Sequence, residues 1–204
     1  MEDTMRHPLQ CRCASLKGFV DRPQSANRVV CHCSDCQTFA RWLGRDDILD
    51  VHGGSDVIQT LPRRVTIAQG AESLRCMRLS SNGLLRWYAA CCRTPIGNTL
   101  HTPKFSFIGL VHTCLESPIQ SLDASFGPVR AWVNTKRAKG EQIPTARGMH
   151  RVIFWFIKTT AKARINGDYK HNPFFNADTG SPIVTPQVLS AEELAKVKFG
   201  VAPN

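Results

Sequence analysis

Through the first 115 residues, apolar positions fall in short runs broken by Gly, Pro, Asn and Ser, a spacing that suits β-strands and turns. Strands are predicted at Leu9–Ala14, Gly18–Val20, Val57–Thr60, Val65–Ala68, Leu74–Leu79 and Leu84–Ala89, with a further one over Phe105–Cys114. Asn82-Gly83 separates two of them and predicts a hairpin, because both residues tolerate positive φ. Ser34–Leu43 has helical spacing instead, with Phe39, Trp42 and Leu43 as its apolar side and Ser34 or Asp35 as its cap. Beyond Pro118 the pattern lengthens. Ala146–Asn166 is predicted as a long helix that packs through Met149, Val152, Ile153, Phe156 and Ile157 and ends at Asn166-Gly167. Arg151, Lys158, Lys162 and Arg164 form its polar side, while Phe154 and Trp155 widen the apolar one, so close packing is expected. Ser190-Ala-Glu-Glu193 reads as a capping box opening a short helix. Between the two helices, His171–Phe175 and Ser181–Pro186 are expected to run extended over the surface. The pattern as a whole predicts a mainly β fold of short antiparallel strands over residues 1–120. Residues 121–204 are expected to form a C-terminal extension with one long and one short helix, packed on that core as one unit.

Composition narrows this picture by exclusion. With 42% hydrophobic and 21% charged residues in 204, the chain is neither disordered, collagen-like nor coiled-coil. Its longest apolar run is Val152–Ile157, where a membrane-spanning helix needs ~20 residues. The first residues, MEDTMRHPLQCRC, contain no apolar signal region, and a cytoplasmic location is expected. The net charge of +10 is concentrated in residues 130–170, which hold ten basic and two acidic groups. Such a segment attracts anionic small molecules, nucleic acid or an acidic partner. The aromatic run Phe154-Trp155-Phe156 reads as buried, which argues against a nucleic-acid reader.

Cysteine carries the chemistry. Seven of the nine cysteines form three groups: Cys11 and Cys13; Cys31, Cys33 and Cys36; and Cys91 with Cys92. The other two, Cys76 and Cys114, stand alone in apolar runs and read as small core residues. In a reducing compartment such density points to metal ligands before disulfides. Zinc takes about four thiolates in tetrahedral geometry, and a C-x-C-x2-C run can supply three of them. Three protein ligands leave an open, reactive position, whereas four close the site. A thiol-redox relay through Cys31, Cys33 and Cys36 is the competing reading of these sulfurs. His32 lies between two predicted ligands, but its ring should point away from the face they share.

The order Cys-x-Cys, Cys-His-Cys-x2-Cys and a late turn ending Cys92-Arg-Thr-Pro-Ile resembles the glutathione-dependent formaldehyde-activating enzymes and the centromere protein V-like domains. The resemblance covers roughly residues 9–115 and is closest to an uncharacterised branch of that superfamily. It implies an Mss4-like β fold and one or two Zn2+ ions. One ion would be structural, held by Cys11 and Cys13 with the late turn. The other would be held by Cys31, Cys33 and Cys36 at the site that handles the substrate thiol. Where the family has its first late-turn cysteine this chain has Ala89, and Arg93 replaces the glycine that follows the second. The structural set is therefore either Cys11, Cys13, Cys91 and Cys92, or three cysteines completed by another group.

The function implied is carbon–sulfur lyase-type chemistry, in which a thiol such as glutathione adds as its thiolate to an aldehyde. Arg28, Arg41 and Arg93 are the arginines near enough in sequence to the cysteines to balance an additional anionic sulfur. The alternative is a non-catalytic zinc-stabilised binding module whose basic 130–170 segment docks an acidic partner.

Overall fold

The computed structural model describes residues 5–198; the outermost residues of both predicted regions, 1–4 and 199–204, lie outside it. The fold is mainly β. Its strands are β1 (Arg6–Gln10), β2 (Lys17–Asp21), β3 (Asn27–Cys31), β4 (Ser55–Thr60), β5 (Val65–Gln69), β6 (Leu74–Arg78), β7 (Leu85–Ala89), β8 (Thr94–Thr99), β9 (Ile108–Val111), β10 (Ala131–Val133) and β11 (Gln187–Val188). The helices are α1 (Ser34–Leu43), α2 (Leu122–Phe126), α3 (Met149–Ile165) and α4 (Ala191–Lys198). A three-stranded sheet has the order β1-β2-β5, and an eight-stranded sheet the order β10-β3-β4-β9-β8-β7-β6-β11. Neighbours pair antiparallel except at the two edges of the larger sheet, where β10 runs parallel to β3 and β11 parallel to β6. Both edge strands come from the C-terminal extension, which is thereby built into the sheet.

Alternation along the strands sends side chains to two separately covered faces. From β6 and β7, Leu74, Cys76, Leu85, Trp87 and Ala89 join the main core with Leu9, Leu16 and Val20 of the small sheet and its turn. The intervening Met77 enters a second cluster with Phe39, Trp42 and Leu43 of α1 and Val197 of α4. Because the sheet is covered on both faces, two of its strands escape a pattern-based reading. β3 is buried at four of its five positions and β8 at all six, so neither alternates. The sequence of β8, Thr-Pro-Ile-Gly-Asn-Thr, reads as a turn, yet Pro95 is accommodated at a register shift in the β7–β8 ladder.

Three other expectations change. Asn82-Gly83 does lie between β6 and β7, but the strands stop at Arg78 and resume at Leu85. The loop contains a Ser80–Gly83 turn closed by Gly83 N–H to Ser80 O at 3.0 Å, without positive φ at either residue. The predicted Phe105–Cys114 strand shortens to β9 followed by a 3-10 turn over His112–Cys114. Helix α3 exposes most of the face expected to be packed: Met149, Ile153, Phe154 and Ile157 are all exposed. Its contacts run instead through Val152 against Val29, Ala131 and Val133, Phe156 against Phe107 at 5.5 Å, and the Trp155 indole N–H to Ser25 O. A helix apolar on most of its circumference specifies no single packing face.

The segment after α3 does more than wrap the surface. Phe174 and Phe175 are buried against Trp87, at ring distances of 5.1 and 6.4 Å. Full burial of such a side chain stabilises a fold by ~1.5–3 kcal/mol.

Candidate functional site

The turn between β1 and β2 carries Cys11 and Cys13; the turn between β7 and β8 carries Cys91 and Cys92. Each turn passes through left-handed backbone just after its second cysteine, at Ala14 (φ 58°) and Arg93 (φ 57°). Arg93 thus holds the backbone conformation that a glycine would adopt without strain. The turns are tied together by Arg12 N–H, which donates to Thr94 Oγ1 at 3.0 Å. Their four sulfurs converge. Cys11 Sγ lies 3.5 Å from Cys13 Sγ and 3.7 Å from Cys91 Sγ, with 3.3 Å between Cys13 and Cys91 and 3.9 Å between Cys91 and Cys92. Four sulfurs each ~2.3 Å from one tetrahedral ion would stand about 3.8 Å apart. The donor set and its spacing therefore fit a metal ion, and the adjacent Cys91 and Cys92 both belong to it. Hydrogen bonding from Ser15 lowers the Cys13 thiol to about 6. Arg45 places a buried cation alongside: it pairs with Asp47 at 2.7 Å and donates to Thr94 Oγ1, which is 3.1 Å from Cys92 Sγ.

The second group, Cys31, Cys33 and Cys36, forms where β3 ends and α1 begins; its three sulfurs lie within 4.8 Å of one another. Cys33, rather than Ser34 or Asp35, caps the helix, its sulfur accepting the Cys36 N–H at 3.4 Å. The neighbouring Cys33 and Cys36 thiols, together with Asn134 Nδ2, which donates to Cys31 Sγ at 3.4 Å, hold the Cys31 thiol far below its ordinary range. Cys36, half-buried beside the same two thiols, is pushed the other way. Asn134 adopts φ 58° immediately after β10, so the parallel β10–β3 pairing is what delivers its amide to Cys31. His32 lies outside both sulfur groups; its ring is buried, 3.8 Å from Asp50. Cys76 and Cys114 are buried core thiols, and burial pushes Cys76 up to about 12.

The three-cysteine group opens on a cavity of about 320 Å³. Apolar walls come from Val57, Phe107, Val133 and Val152, and polar groups from Asp35, Arg86, Asn98 and Asn134. The arginines expected from sequence are placed elsewhere. Arg28 pairs with Asp56 at 2.7 Å and with Asp123; Arg41 donates to Val197 O and Lys198 O at the end of α4; Arg93 donates to Trp42 O at 2.5 Å. The arginine on the cavity wall is Arg86. Its signal in the sequence is a lone charge alternating with Leu85 and Trp87 in an otherwise apolar strand.

Residues 4–185 match the Family of unknown function (DUF6151). The chain belongs to the DUF6151 family. Both cysteine groups of this DUF6151 chain, together with Arg86, Asn98 and Asn134, fall within the matched residues, and α4 falls outside them. No curated protein matches the chain. A crystal structure of a Rhodobacter sphaeroides protein is similar at 17% identity and a TM-score of 0.40, covering 62% of this chain and 99% of that one. Among the described residues, no helix is long and apolar enough to cross a membrane.

Proposed function

We propose that this DUF6151 protein binds zinc at both cysteine groups, structurally at Cys11, Cys13, Cys91 and Cys92, and at an open, ligand-accepting site on Cys31, Cys33 and Cys36. The activity proposed is carbon–sulfur chemistry on a small thiol and an aldehyde. The observation that carries this reading is the position of three clustered sulfurs on the wall of a 320 Å³ cavity. Held by Cys31, Cys33 and Cys36, a zinc ion would supply Lewis acidity able to stabilise a thiol as its thiolate.

The chain's own residues set the conditions. The N-terminus of α1 and Asn134 orient the three cysteines. The apolar walls exclude water from the bound thiol, and Arg86 offers positive charge to a centre that three thiolates make net negative. In the reaction a carbon–sulfur bond forms as the carbonyl π bond is lost, and the thiol proton ends on the carbonyl oxygen. The reverse reaction breaks that bond. Glutathione and formaldehyde are the first pair to test, a choice supported by the resemblance in cysteine order. A non-catalytic binding module has one observation in its favour: the exposed face of α3, where Ile153, Phe154 and Ile157 lie beside Arg151 and Lys158.

Elemental analysis of protein purified without added zinc should find two equivalents. Cys33→Ser and Cys13→Ser should each lose one, from different sites. Unchanged metal content in Cys33→Ser would remove the open site. Adduct formation no faster than in buffer would remove the glutathione–formaldehyde pair and leave the binding module as the better account.

A further inference from the structure

We infer that the cavity selects a thiol carrying a carboxylate, with Arg86 and Asn98 as the carboxylate-binding pair. This rests on the open three-cysteine site proposed above and names the class of thiol it takes. Arg86 is 2% exposed, on the face of β7 that looks toward α1. Burying a guanidinium is costly unless its charge and its five N–H donors find partners. Here those partners are few. Nη1 donates to Asn98 Oδ1 at 3.1 Å, across the β7–β8 pair in which the two residues face each other. Nη2 stands 3.7 Å from Asp35 Oδ2, beyond hydrogen-bond reach, and that carboxylate is half in solvent. Nε has no partner. The Phe39 ring, 5.3 Å from the guanidinium carbon, contributes a π face but accepts no conventional hydrogen bond.

Arg86 borders the same cavity as the three sulfurs, and Asp35 precedes Cys36 in the first turn of α1, which places the cationic end close to the thiolate end. A guanidinium presents a planar fork that matches a carboxylate in two parallel hydrogen bonds. Asn98, held by its own bond to Nη1, fixes the fork's orientation. Val57, Phe107 and Val133 line the same cavity, and their apolar side chains suit a short aliphatic spacer. The cavity is at the small end of the ~300–1,000 Å³ range of ligand pockets. A compact mercapto acid fits inside it, with room for a longer thiol. Asp35 competes for the same cation, so ligand entry exchanges a distant, solvated carboxylate for one at hydrogen-bond distance.

Cobalt-substituted protein gives a readout independent of turnover, because a sulfur ligand entering the open position changes the visible spectrum. Titrations with 3-mercaptopropionate and 2-mercaptoethanol compare two thiols that differ in the group at the far end. The mercapto acid should bind at least tenfold more tightly, and in Arg86→Met that preference should shrink to within about twofold. If Arg86→Met fails to fold, Asn98→Ala should reduce the same ratio. Equal binding of the two thiols to the wild-type protein, or a preference that survives in both variants, overturns the carboxylate assignment while leaving the open site intact. A spectrum unmoved by either thiol overturns the open site as well.

Discussion

His7 is buried with both ring nitrogens engaged: Nε2 donates to Leu115 O at 2.6 Å, so Nδ1 accepts from the Ser125 hydroxyl at 2.8 Å. Its ring also packs on Phe126 at 4.7 Å. Burial lowers its pKa below the ordinary 6.5, outweighing the opposing pull of Leu115 O. A group depressed in the fold contributes its full stability above the unfolded value and loses it as pH falls through the folded one. Thermal stability should therefore drop from about pH 6.5 downward. His7→Gln, which does not titrate, should flatten that dependence; parallel slopes for the two proteins would show that His7 does not set it. Nothing in the sequence marks His7, since its partners lie more than a hundred positions away. Cysteine is the opposite case. Its ligand chemistry belongs to the residue type, and short spacings such as Cys31–Cys33–Cys36 survive folding as proximity. Arginine is intermediate: Arg28, Arg41 and Arg93 are near the cysteines along the chain, but which arginine faces the cavity depends on strand register, and that chose Arg86.

Among the elements, local signals translated best where their partners are also local. The capping box of α4 forms as written, Glu193 N–H donating to Ser190 Oγ at 3.1 Å and Ser190 N–H to Glu193 Oε2 at 2.7 Å. Ser190→Ala should weaken this helix by about 1 kcal/mol. Faster amide exchange confined to Ala191–Lys198 would be the sign of it, and unchanged exchange would mean that packing on α1 alone holds the helix. Elements whose character comes from tertiary neighbours were less legible. β8 reads as a turn because its Pro, Gly and Asn are tolerated only inside a completed sheet. α3 was legible in length but misjudged in orientation, and its exposed Phe154 removes the buried-aromatic argument against a nucleic-acid partner.

For the whole molecule, the predicted division near residue 120 meets a sheet whose two edges are both supplied from beyond it. Without β10 and β11, β3 and β6 would present unpaired backbone, the usual template for edge-to-edge association. Loss of the same residues would uncover Trp87, which packs on Phe174. A fragment ending at residue 120 should therefore aggregate, as judged by light scattering after expression, and a soluble, cooperatively melting fragment would contradict this. The four-cysteine group acts at the same scale, since it joins turns about 80 positions apart and ties the small sheet to the large one.

The bond from Asn134 to Cys31 spans 103 positions. On the ribosome, the four sulfurs of the first group are all available once residue 92 has emerged, whereas the second group waits for a chain segment made much later. Cys31, Cys33 and Cys36 are synthesised early but must remain without their amide partner, and without the wall formed by Val133 and Val152, until translation is well advanced. The three-cysteine site is thus finished later than the four-cysteine one, although its own sulfurs are all synthesised by residue 36.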